Sequence, residues 1–340
     1  MASQQPGRRL LHLPSFRTKS WGATTLRTIW VKILASVSVS MLAWGAAVPA
    51  DAQFGMLGDL AKRAGVTMPS LRKEPISTSL PDARWGDPSQ DGFVPPSPKR
   101  NLAELQRTGN GGFVLQPGYY SFHDQSYCLH AGTHGPGNGE GYLYAPPLGA
   151  AKDAVITIVR NSVQHPEIEQ RTIQALLWAI LSRAKLEDLP DAQRMAAAQL
   201  LTPRQLAGLN RGVLDMLSAG PIADNLPSEV RSVLRAEADL RRMLTTPGTS
   251  YGELERVAVL AGMAPVGPGS IDVPSGRWSH HPDGYWVRYL PGSYTNTVVE
   301  VWVPAGAAGI GKEFDLATHI AVPGNTARQR LMQSGRAYKS

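Results

Sequence analysis

The only cysteine of the chain, Cys128, lies in the stretch QSYCLHAGTHGPGNGEGY at 125–142, near His123, His130 and His134 and just ahead of five glycines at 132, 135, 137, 139 and 141. Cysteine and histidine at short spacing raise the question of zinc, which takes ligands two to five residues apart. His130-x3-His134 has that spacing, but its second member sits among glycines, not on a helix that would align the pair. No metal and no cofactor is assigned. The glycines lack the following Lys-Ser/Thr and helix start of a phosphate loop. A cysteine nucleophile needs a base within hydrogen-bond reach. His130 is one pleat repeat away from Cys128, and His280 or His281, with Asp283, is a base only if the fold brings it close.

Gln174 is the second residue with chemical potential. It is the one polar residue in IQALLWAIL at 173–181, and a buried amide must find partners or destabilise the fold. A structural reading puts it on a half-exposed stripe with Gln170, Trp178 and Ser182. A chemical reading is condensation with a nearby cysteine into an intramolecular thioester. A third candidate is the aromatic set Trp278, Tyr285, Trp286, Tyr289, Tyr294 and Trp302. Exposed, those rings would stack on sugars or form an interaction surface; packed inward, they are sheet core.

The elements that must position these residues follow from periodicity. Phe113–Leu115 and Tyr119–His130 are predicted strands split by Gln116-Pro117-Gly118. On the second, Phe122, Asp124, Ser126, Cys128 and His130 share a face. Tyr142–Tyr144 is a further strand. Helices are predicted at 150–162, from Pro166 to about Lys185, at 191–200, from a Thr202 cap to Ser218, at 228–244 and at 250–261, where Ser250-x-x-Glu253 is a capping box. Residues 284–289 and 297–303 alternate as a hairpin around a longer loop containing Pro291-Gly292. From Ala305 the chain is glycine-rich and then polar. The fold class is α+β: N-terminal strands, a helical middle and a C-terminal β-hairpin or sheet.

SYCLHAG at 126–132 and TIQALLWAI at 172–180 resemble the two signatures of the thioester domains of bacterial surface adhesins. In that family an aromatic-Cys-hydrophobic strand supplies the thiol, and a Gln segment entering an apolar helix with a Trp supplies the acyl group. The resemblance covers about residues 113–185. It implies a Cys128–Gln174 thioester, shielded by Tyr127 and Trp178, with His130 assisting proton transfer. A partner amine would attack the acyl carbon once, without turnover. The Cys–Gln separation is shorter than the family usually shows.

The first 52 residues are expected to be a signal peptide. Six Lys or Arg precede an apolar run, Ile33–Ala47, and Val48-Pro-Ala-Asp-Ala52 ends in a small-x-small cleavage pattern. Much of the +7 formal charge belongs to that leader, so the remainder is close to neutral and lacks the basic footprint of nucleic-acid binding. No later segment is apolar enough to be a transmembrane helix in the mature chain. Residues 53–110, rich in proline, are expected to be a linker or strap. The region 111–340 is one α+β domain with a thioester-like part at 113–185, a helical part at 186–262 and a hairpin part at 272–304. The expectation is an exported protein, periplasmic, outer-surface or secreted, that acts by interaction on a surface protein amine or a polysaccharide. The competitors are a non-covalent carbohydrate- or envelope-binding or structural protein using Trp278, Tyr285, Trp286 and Trp302, and a cysteine-dependent hydrolase.

Overall fold

The computed structural model describes residues 75–76, 83, 88–137, 139–210 and 228–339. The expected leader, most of the proline-rich segment and the 211–218 end of one expected helix lie outside them. Twelve strands and six α-helices are described, an α+β architecture. The strands are β1 Lys99–Asn101, β2 Phe113–Val114, β3 Gly118–Cys128, β4 Thr133–His134, β5 Tyr142–Ala145, β6 Val259–Leu260, β7 Ser279–His280, β8 Trp286–Ser293, β9 Asn296–Val303, β10 Glu313–Phe314, β11 Ile320–Pro323 and β12 Leu331–Ala337. The helices are α1 Lys152–Asn161, α2 Gln170–Leu181, α3 Asp191–Leu200, α4 Pro203–Asn210, α5 Ser228–Leu244 and α6 Tyr251–Ala258.

The main sheet runs β5-β11-β12-β3-β9-β8-β7, with β1 added parallel to β3. Strand β3 is its spine. Its first part pairs with β9, and its last residues, Ser126 to Cys128, pair with β12 on the opposite edge. The tail from Ala305, glycine-rich and then polar in sequence, supplies β10, β11 and β12. Buried Gln333 and Ser334 made β12 look polar in sequence; buried Asp124 of β3 accepts from the Ser334 and Gly335 amides and the Ser334 hydroxyl. The hairpin is also tighter than expected. Strand β8 continues through Pro291 with a register shift before Ser293, so the turn shrinks to Tyr294-Thr295. Proline is tolerated within a strand where a bulge removes the need for its missing donor.

Helix α2 is the centre of the helical layer, and every residue from Ile173 to Leu181 is buried. An all-round apolar surface suits a helix enclosed by neighbours. It starts at Gln170, four residues after the expected Pro166. The Pro166 and Ile168 carbonyls are taken by the Arg336 guanidinium at 3.2 and 3.0 Å, and the Ile168 amide closes a turn onto His165. It ends before Lys185 because Arg183 adopts φ +58°. The Arg183 and Ala184 amides then bond back to Ile180 and Ala179, which closes the helix in a Schellman arrangement. The Ser250–Glu253 capping box forms in full and sets the start of α6.

Candidate functional site

Strand β9 pairs with β3 only as far as Gln125. Beyond that point, the groups of Ser126 and Cys128 on that edge have no strand to meet. The Ser126 amide donates to the Thr295 carbonyl at 2.9 Å. Two glutamines of α2 satisfy the rest. Gln170 Nε2 donates to the Ser126 and Thr295 carbonyls at 3.0 and 2.6 Å. Gln174 Oε1 accepts from the Cys128 amide at 2.8 Å, and its Nε2 donates to the Cys128 carbonyl at 3.0 Å. The Gln174 carboxamide thus docks on the main chain of the residue that bears the thiol, in place of a neighbouring strand. Residues 170 and 174 are one turn apart on one helix face.

The next residue on that face is Trp178. Its indole N–H donates to Cys128 Sγ at 3.1 Å. The stripe expected to be half exposed is instead closed, with Gln174, Trp178 and Ser182 all buried. Sγ also approaches the His130 carbonyl at 3.6 Å. Cys128 has no disulfide partner. Burial pushes its thiol pKa up to about 12, against the smaller opposing effect of the Trp178 hydrogen bond, so Cys128 is a protonated thiol at neutral pH.

Over this pair lies an aromatic cover. Trp178 stacks on Tyr251 at 5.4 Å between centroids, and Tyr294 tilts against it at 6.5 Å. The Tyr251 and Tyr294 hydroxyls are 3.0 Å apart, and Tyr294 donates to Glu255 in a short hydrogen bond. Outside the cover is an open pocket of about 440 Å³, whose lining includes Glu169, Arg171, Gln174, Tyr251, Tyr294 and Tyr338. Gln174, only 1% exposed, is its floor. The arrangement offers an acyl group and a thiol side by side, a donor to the acyl oxygen, a donor to the sulfur, and an entry from solvent.

Tyr127, expected to shield the site, does not. The register of β3 with β12 is regular here, and strand alternation turns Tyr127 to the opposite face from Cys128. Its place is taken by Tyr251 and Tyr294. In sequence, Tyr251 showed only as a residue of a capping box and Tyr294 only as one of several tail aromatics. The signal that was present is the cap itself, which fixes the phase of α6 and puts Tyr251 and Glu255 on one face. His130 is not placed to assist through its ring. Arg330 Nη1 meets its Nδ1 at 2.5 Å, and burial together with that guanidinium holds the His130 pKa well below the usual histidine range. Only the His130 carbonyl faces the thiol.

The aromatic hairpin divides into two sets. Trp278 and Tyr285 are buried, bonded to the Phe93 carbonyl and to His319 Nε2 respectively. Trp286 and Trp302 are half-buried and stacked at 6.5 Å, with Phe93 lying on Trp302 at 4.6 Å. These four do not form one exposed platform. His281 stacks on Tyr285 at 4.2 Å, and the partners of Cys128 Sγ among the described residues are Trp178 and the His130 carbonyl. Of the glycines after Cys128, Gly132, Gly137 and Gly141 are closely packed, while Gly139 has open space around it. Gly132 adopts φ +71°, and a Cβ there would meet that of Ala236 at 2.7 Å. Among the described residues, no group of three or more His, Cys, Asp or Glu side chains is placed to hold a metal ion. No described helix is long and apolar enough to cross a membrane. Comparison with protein-family models, with curated proteins and with solved structures finds no match for this chain.

Proposed function

We propose that this is an exported cell-envelope or secreted protein that joins itself covalently to a partner amine through an internal Cys128–Gln174 thioester. The observation that carries the reading is the docking of the Gln174 carboxamide on the Cys128 main chain, under an aromatic cover and at the floor of a pocket. In thioester formation Sγ attacks Cδ of Gln174. The Sγ–Cδ bond forms, the Cδ–Nε2 bond breaks, and the nitrogen leaves as ammonia with the thiol proton. The Cys128 amide that already bonds Oε1 is suited to hold the oxyanion of the tetrahedral intermediate, as preorganised donors do in acyl transfer. Aminolysis reverses the sequence with a partner nitrogen: an amide forms and the thiol returns.

A single unpaired cysteine suits this role in an oxidising compartment, where structural cysteines normally pair. A hydrolase reading fits less well. Its nucleophile would need an adjacent base and a lowered pKa, whereas this thiol is raised and its contacts are an indole N–H and a carbonyl.

Intact mass of the purified chain tests the proposal. The wild type is expected to be lighter by one ammonia than its sequence requires, and Cys128→Ala and Gln174→Ala to carry full mass. Methylamine should add to the wild type alone, with appearance of one alkylatable thiol. A wild-type chain of full mass that takes up no methylamine would overturn the reading.

A further inference from the structure

Tyr251 and Glu255 stand one turn apart on α6 and face the β8–β9 turn, where Tyr294 meets both. Tyr294 gives its hydroxyl proton to Glu255, so Tyr251 must be the donor in the Tyr251–Tyr294 bond. The result is a directed chain, Tyr251 O–H to Tyr294 O–H to the Glu255 carboxylate. It begins in the pocket that Gln174 floors and ends at a half-buried acid. Tyr251 also stacks on the indole whose N–H holds Cys128 Sγ. The packing of the aromatic cover explains the rings. It does not require the three oxygens to be aligned.

We propose that Tyr251, Tyr294 and Glu255 form the proton relay of the acyl transfer, with Tyr251 receiving the proton of an incoming primary ammonium and Glu255 its final acceptor. The inference rests on the thioester reading and adds the group that makes a protonated amine reactive. As the ammonium reaches the pocket, one N–H proton passes to Tyr251 Oη while the Tyr251 proton moves to Tyr294 and that of Tyr294 to Glu255. The neutral nitrogen attacks Cδ of the thioester. The Cδ–Sγ bond breaks, and the sulfur leaves as a thiolate beside the Trp178 N–H. It takes a second proton from the new amide nitrogen. The products are an amide, the Cys128 thiol and a protonated Glu255, which returns its proton to solvent.

The charges facing the relay are consistent with transfer, not storage. Burial raises both tyrosines above the ordinary phenol range, and its hydrogen bond to Glu255 raises Tyr294 further. Neither rests as tyrosinate. Arg171, on the first turn of α2, bears on Tyr251 but is paired with Glu169 at the pocket rim. Cys128 bears on Tyr251, and Glu255 on Cys128.

The test follows adduct formation by intact mass in wild type, Tyr251→Phe, Tyr294→Phe and Glu255→Gln, against pH, with two nucleophiles. Methylamine is an ammonium at neutral pH; hydroxylamine is largely unprotonated. The phenylalanine variants keep the ring packing. General-base assistance of this kind is worth about 100-fold, so methylamine addition should slow by about that factor and recover as pH rises. Hydroxylamine should add at close to the wild-type rate. Wild-type methylamine rates and pH profile in all three variants would overturn the relay, as would a parallel loss with both nucleophiles, which marks a structural role. If the wild type itself has full mass and forms no adduct, the thioester reading falls and takes the relay with it.

Discussion

At the residue scale, Gln174 holds two positions at once. As a structural residue it completes the edge of β3, satisfying the Cys128 N–H and C=O where β9 has ended. As a chemical residue, in the proposed thioester, it would supply the acyl carbon to the thiol of that same residue. These roles can be separated. In a Cys128→Ala background no thioester can form, so a further Gln174→Ala change reports the docking alone. It leaves two buried main-chain groups without partners, at roughly 1–3 kcal/mol each. Urea unfolding of the single and double variants should therefore differ by about 2–6 kcal/mol. A difference below about 0.5 kcal/mol would mean that water replaces the amide and that the docking is not what holds Gln174 in place.

At the scale of elements, α6 and the β8–β9 turn bring the cover to the site, and the cap of α6 sets its phase. Ser250→Ala removes the acceptor for the Glu253 amide, a loss of about 0.5–2 kcal/mol for a helix N-cap. A fall in urea stability of that size is expected, together with slower methylamine addition, because Tyr251 is the first residue after the cap. The cap was legible in sequence, as were the apolar helix bearing Gln174 and Trp178 and the strand bearing Cys128, since each depends on local periodicity. The Pro291-Gly292 pair was misleading. It resembles a loop, but the bulge in β8 absorbs the proline, and the tight turn that follows is what lifts Tyr294 over Trp178. Strand β12 was not legible, because its polar residues find distant partners: Ser334 bonds Asp124, and Gln333 lies opposite Ser126. Local pattern cannot report partners about two hundred residues away.

At the scale of the whole molecule, β3 lies between strands from the far end of the chain, so the site depends on closure of the entire sheet. A second buried cluster shares in that closure. His319, just before β11, is 4% exposed. Its Nδ1–H donates to the Asp315 carbonyl at 2.7 Å, and its Nε2 accepts from the Tyr285 hydroxyl at 2.8 Å. Both nitrogens are satisfied in the neutral ring. Burial, with the nearby His281, lowers its pKa from 6.5 to about 3. The unfolded chain therefore binds a proton that the folded state refuses between those values. The stabilisation is complete above pH 6.5 and is lost as pH falls toward 3, at up to about 1.4 kcal/mol per pH unit. Asp124 works in the opposite sense. Burial raises it to about 8, so its contribution is complete below its unfolded value of 3.8 and is lost as pH rises through 8. Because the two slopes oppose each other between about pH 4 and 6.5, the wild-type profile alone would hide both, and a variant is needed. The stability advantage of wild type over His319→Gln, taken from urea midpoints, should shrink by roughly 2 kcal/mol between pH 6.5 and pH 5. An advantage independent of pH would mean that His319 takes up its proton as readily in the fold as outside it, and that the cluster around Tyr285 opens to water.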